Sequence, residues 1–232
     1  MAASPREVGT RTAGLTTDLL GQLKPRLRGV LHQVAFAVSL VTGTALVCLA
    51  PGGLPRLAAS VYAVSVSGLF GTSAAYHRGS WSSRVEDVLG RLDQSMIFVL
   101  IAGTYTPFAL LLLEGWPRWT TLSLVWGGAL VGVVLRNAVR RPLRWGFTAL
   151  YLGLGWVAVA FLPQLGRAGG AAVLALLVLG GLLYSAGAVV YATRRPNPSP
   201  RWFGFHEVFH ALTLAAFAAH YVAVSLTTYR AA

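Results

Sequence analysis

The stretch Phe203-Gly204-Phe205-His206-Glu207-Val208-Phe209-His210 opens a long apolar run that continues to about residue 227. Crossing the hydrocarbon layer of a membrane takes roughly 20 residues, and this run is long enough. Inside lipid the backbone must satisfy its own hydrogen bonds, so the run is read as a membrane-spanning helix. His206 and His210 then share one face of that helix, about one turn apart. Such a pair can clamp a metal ion, provided a further ligand comes from elsewhere in the chain. Two helix-end histidines bonded to backbone or to lipid headgroups would give the same pattern.

Six runs of the same kind precede it, at about 31–50, 57–77, 94–113, 119–135, 145–163 and 169–192. The chain of 232 residues is 55% hydrophobic and only 11% charged, against about 25% charged in a soluble domain. The expected fold is therefore all-α: one seven-helix transmembrane domain over residues 31–228, behind a basic segment at 1–30. Within that segment, residues near 15–24 are read as a short helix lying on the membrane surface. Pro107 is expected to kink the third span. Cys48 is the only cysteine and lies in an apolar run, so no disulfide within the chain is possible.

The net charge of +12 invites a nucleic-acid reading, which fails once the charges are placed. Fifteen Lys and Arg residues fall in the N-terminal segment and in the gaps after the second, fourth and sixth runs. Four (Arg56, Arg118, Arg167 and Arg230) fall on the other side. The positive-inside rule puts the N-terminus in the cytoplasm and the C-terminus outside, in a multi-pass protein of the inner (plasma) membrane. The arginines are then topology signals beside anionic lipid.

Ionisable residues near membrane depth are costly, and each needs a reason. They are few: His77 ends the second run, Asp93 begins the third, and His206, Glu207 and His210 begin the seventh. The charge-derived orientation puts all of them at the cytoplasmic ends of their helices. Three histidines at one depth can give Zn²⁺ three nitrogens and leave the fourth position open, as in catalytic zinc sites. Ser73 lies one turn deeper than His77 on the same face, with its hydroxyl towards the metal. A serine there can equally bond its own helix backbone. Asp93 can equally be an N-cap or a first-turn carboxylate paired with Arg91 or Arg78. His-Glu-x-x-His is also a metalloprotease signature with the Glu as base. Here Thr213 and Ala216 stand where the extended form needs Gly and His. Glu207 at headgroup level paired with Arg201 is the competing reading. His220, about 15 Å beyond His210, is read as a hydrogen-bonded core histidine. His32 is read as interfacial. Trp81, Trp116, Trp119, Trp145 and Trp202 are read as a membrane-interface belt.

Several ordered motifs carry a resemblance. They are Ser73-Ala74-Ala75-Tyr76-His77, then Arg91-Leu92-Asp93 leading to Ile101-Ala102-Gly103-Thr104-Tyr105-Thr106-Pro107, Leu150 to Trp156, Gly180 to Tyr184, and His206 to His210 followed by His220-Tyr221. Together they resemble the hemolysin III family over about residues 24–226. That family is similar to the adiponectin and progestin receptors and, more distantly, to the alkaline ceramidases. The resemblance implies seven helices with the N-terminus inside and an intramembrane zinc held by His77, His206 and His210. It further implies that Asp93 bonds the water on that zinc, with Ser73 beside it. Gln94 stands where bacterial relatives often carry His, a departure that bears on packing alone.

The expected function is a zinc-dependent hydrolase of a lipid amide or ester, with Asp93 and Ser73 as catalytic residues and a membrane lipid as substrate or ligand. Two other functions are compatible with the same residues: a non-catalytic, receptor-like regulator with structural zinc, and a pore-forming cytolysin.

Overall fold

The computed structural model describes residues 25–139 and 143–231. The surface helix expected near 15–24 lies outside them. The helices are α1 (Val30–Leu49), α2 (Leu54–Arg78), α3 (Ser83–Leu112), α4 (Gly115–Ala138), α5 (Arg144–Gly155), α6 (Leu162–Thr193) and α7 (Phe205–Arg230). A short 3₁₀ helix, Val157–Phe161, joins α5 to α6. No β-strand is present among the described residues, and the one isolated bridge pairs Ser199 with Phe203. The fold is an all-α membrane bundle.

Six helical stretches among the described residues are long and apolar enough to cross a membrane. The longest, Arg144–Thr193, covers 50 residues and takes in two of the expected runs. It is folded back on itself. Arg144 donates to the Tyr191 carbonyl at 3.4 Å, and Trp156 Nε1 donates to Ser185 Oγ at 2.9 Å, so the two halves lie side by side in opposite directions. The turn is at Gly170, whose φ of 80° and ψ of 171° leave the helical region. Only glycine adopts that combination freely.

Along α1, small and polar residues mark the inward face, and hydropathy does not. In α1 the buried residues are His32, Ala35, Ser39, Gly43 and Leu46, a stripe at intervals of three and four. Val34, Val38 and Val41 on the remaining surface are exposed, as lipid-facing side chains are in a bundle viewed without its membrane. Small residues let helices approach closely, and close packing drives association where lipid is as apolar as the protein. Gly103 is an instance: a Cβ there would lie 2.6 Å from the Ser65 Cβ. Helix α7 packs on α6 and also touches α1, α2 and α3. Its first turns therefore sit where several helix ends converge.

The structure corrects two expectations. Helix α3 begins at Ser83, ten residues before Asp93, so Asp93 is inside the helix and cannot be an N-cap. His32 is only 3% exposed and faces the bundle, not the interface. Trp81, Trp116, Trp119, Trp145 and Trp202 are all exposed. Helix α3 runs on through Pro107 to Leu112.

The close α2–α3 contact predicts that Gly103→Val destabilises the bundle by about 1–3 kcal/mol through overpacking. Gly127, where a Cβ would meet nothing within 4 Å, should accept the same change within about 0.5 kcal/mol. Thermal unfolding of the two variants in detergent checks the difference.

Candidate metal centre

His77 sits in the last turn of α2, while His206 and His210 occupy the first two turns of α7. The entry into α7 is built by residues distant in sequence. Residues 26 and 27 donate backbone hydrogen bonds to the carbonyls of Arg201 and Trp202 at 3.1 and 3.3 Å. The Gly204 N–H donates to Glu207 Oε2 at 2.8 Å, capping the helix from within. The other carboxylate oxygen, Oε1, accepts from Arg28 Nε at 2.5 Å. Glu207 is thus paired with Arg28, not Arg201. With both oxygens engaged and the side chain 1% exposed, it is in no position to act as a protease base.

These anchors turn His206 and His210 towards His77. The Nε2 atoms of His77 and His206 are 3.1 Å apart, and one ligand nitrogen from each of the three residues lies within 4.8 Å of the others. His210 is 2% exposed, and its Nδ1 is buried with no hydrogen-bond partner among the described residues. Leaving a buried polar atom unpaired is costly, and a metal bound by that nitrogen would relieve it. Zinc at about 2.0–2.1 Å from each nitrogen of a tetrahedral site separates them by about 3.3 Å. His77 and His206 already have about that spacing, and a separation at the 4.8 Å limit would have to close by about 1.5 Å. The donor set fits zinc.

The carboxylate expected nearby is present. Asp93 Oδ2 is 3.8 Å from His77 Nε2, across the groove between α3 and α2. Ser73 lies on the site side of α2 and faces Asp93. Its Oγ is hydrogen-bonded at 2.8 Å to Nδ1 of His32 on α1, not to a carbonyl of its own helix. His32 stacks on His210 with ring centroids 3.6 Å apart and planes 10° apart. His32 is therefore the fourth histidine of the cluster. Its place at the end of an apolar run makes it look interfacial in the sequence. Gln94 accepts from Arg136 Nε at 2.5 Å and is not among the clustered nitrogens. His220 stands apart as the expected core histidine, its Nε2 at 3.2 Å from the Leu177 carbonyl oxygen.

A cavity of about 350 Å³ opens beside the cluster. Ser73, Asp93, His206 and His210 line its polar end, and Leu100, Ile101, Phe147 and Leu152 are among its apolar walls. The named polar side chains offer nitrogen, carboxylate and hydroxyl groups, and much of the remaining wall is apolar, with tyrosine, serine and threonine hydroxyls among it.

The Arg28–Glu207 pair yields a prediction about relative cost. Removing one member of a buried pair strands the other, at about 3–5 kcal/mol when both are fully buried. Glu207 is the deeper partner, at 1% exposed against 20% for Arg28. Arg28→Ala should therefore destabilise more than Glu207→Ala, and Arg201→Ala should have little effect. Unfolding midpoints of the three variants test the order.

Comparison with known proteins covers most of the chain. A family model described as "Haemolysin-III related" covers residues 20–221. "Hemolysin-3 homolog" of Bacillus subtilis (strain 168) is 33% identical over 166 residues, 71% of this chain and 74% of that protein. "Hemolysin-3" of Bacillus cereus is 35% identical over 135 residues, 58% of this chain and 61% of that protein. "Adiponectin receptor protein" of Drosophila melanogaster is 31% identical over 183 residues, 67% of this chain and 39% of that protein. With a match spanning most of the chain, and with apolar helices fit to cross a membrane several times, this multi-pass membrane protein belongs to the haemolysin-III-related family.

Proposed function

We propose that the protein is a zinc-dependent membrane hydrolase that cleaves an amide or ester bond of a lipid. It crosses the inner (plasma) membrane seven times, with the N-terminal segment cytoplasmic and the site just beneath the inner leaflet's headgroups. The observation that carries the proposal is the meeting of His77, His206 and His210 within 4.8 Å, with Asp93 at 3.8 Å from His77. The orientation is supported by arginines gathered at the same end, among them Arg28, Arg78, Arg91, Arg136, Arg144 and Arg201. Seven crossings are supported by the reversal at Gly170 within the 50-residue stretch.

His77, His206 and His210 would hold the ion. When bound, zinc supplies Lewis acidity and lowers the pKa of a coordinated water to about 7. The remaining chemistry falls to the chain. The apolar walls of the cavity receive the acyl chain and exclude bulk water. Asp93 accepts a proton at Oδ2 from the attacking water as that oxygen bonds to the carbonyl carbon. The C–N or C–O bond then breaks, and Asp93 returns the proton to the departing amine or alcohol. Ser73, with His32 on one side and Asp93 on the other, orients this carboxylate and remains within reach of the carbonyl oxygen.

The test is turnover of a lipid amide by protein reconstituted in liposomes. His210→Ala should lose both bound zinc and turnover. Asp93→Asn should keep its zinc and lose turnover by about 10²-fold or more. Full turnover in Asp93→Asn, or zinc unchanged in His210→Ala, would overturn the assignment. Zinc retained in a wild-type protein with no hydrolysis would favour a regulator in which the metal ties α2 to α7.

A further inference from the structure

We propose that His32 is a positioning residue of this centre: Ser73 clamps its ring, and its ring in turn backs the imidazole of His210. The inference rests on the reading of His77, His206 and His210 as metal ligands, and names a residue that no ligand motif contains.

His32 is 3% exposed, buried among apolar helices. A buried imidazole there has an ordinary way to satisfy itself, shown by His220, whose Nε2 sits against a backbone carbonyl oxygen. His32 does otherwise. Its Nδ1 is 2.8 Å from Ser73 Oγ on α2, and its face lies 3.6 Å from that of His210 on α7, nearly parallel at 10°. Phe70 closes the edge at 5.1 Å. A hydrogen bond fixes a ring's rotation as well as its position, and a stacked ring then allows its neighbour one plane. The three contacts make a chain of constraint from α2 through α1 to α7, ending on a ligand. Groups that orient metal-bound histidines without touching the metal typically change affinity by about 10–100-fold.

The first turn of α1 is also placed to do this. Gly29 has a φ of 80°, and a Cβ there would lie 2.5 Å from the Cβ of His77. Helix α1 thus begins in contact with one ligand-bearing residue and reaches the other through His32, one turn on.

The test uses the full chain in detergent, with cobalt in place of zinc. It measures cobalt affinity by chelator competition, the cobalt absorption band, and the unfolding midpoint. His32→Phe keeps an aromatic face against His210 but removes the hydrogen bond to Ser73 Oγ. It should be less stable yet bind cobalt within about threefold of wild type, with the band preserved. His32→Gln keeps a donor for Ser73 but removes the stack, and should bind about tenfold or more weakly with a shifted band. Ser73→Ala, a one-atom change, should fall between them. Affinity that tracks the unfolding midpoint across the series, or that is unchanged in His32→Gln, overturns the proposal and leaves the metal centre standing. A wild-type protein that binds no cobalt overturns both.

Discussion

Three imidazoles share one point at the buried end of a membrane bundle, and burying so many polar nitrogens together is the constraint that the local structure answers. An unpartnered buried nitrogen is costly in an apolar medium, and its cost falls when it finds a hydrogen-bond partner or a metal. The His210 Nδ1 has no hydrogen-bond partner among the described residues. Side chains around it are held rather than mobile: Glu207 is tied to Arg28 and to its own helix cap, and His32 to Ser73. Such a surround is what a ligand set needs if it is to keep its geometry when the ion leaves.

The second consequence concerns α1. In sequence it looks like a plain membrane anchor, yet its beginning supplies three contacts to the site. Arg28 neutralises Glu207, Gly29 lets the backbone approach His77, and His32 stacks on His210. The opening of α7 is thereby fixed from the other end of the chain, across a sequence separation of 179 residues between Arg28 and Glu207. A local helix propensity cannot do this. It takes a bundle in which the first and last helices are neighbours.

Much of this architecture is legible in the amino-acid sequence alone. Apolar runs and the placement of arginines are strong signals because lipid tolerates so few alternatives. Histidines inside such runs are scarce enough for His77, His206 and His210 to stand out. Three features are not legible there, each for a physical reason. The inward face of α1 is hidden because lipid-facing Val34, Val38 and Val41 are as apolar as buried Leu46, so hydropathy carries no period. The run of small and polar residues His32, Ala35, Ser39 and Gly43 is the available clue. Asp93 resembles a helix start because Arg84, Glu86, Asp87 and Arg91 make that stretch polar, although the helix extends through it from Ser83. Glu207 has Arg201 as its near neighbour in sequence, whereas the fold brings it Arg28.

The central claim is that these three nitrogens meet in order to hold one zinc. X-ray absorption at the zinc edge of the purified protein tests it most directly. The account predicts about one zinc per chain with three nitrogen neighbours at about 2.0–2.1 Å and a light-atom ligand completing the shell. Protein folded and purified from zinc-replete cells without the metal, or with zinc in a sulfur-containing shell, would contradict it.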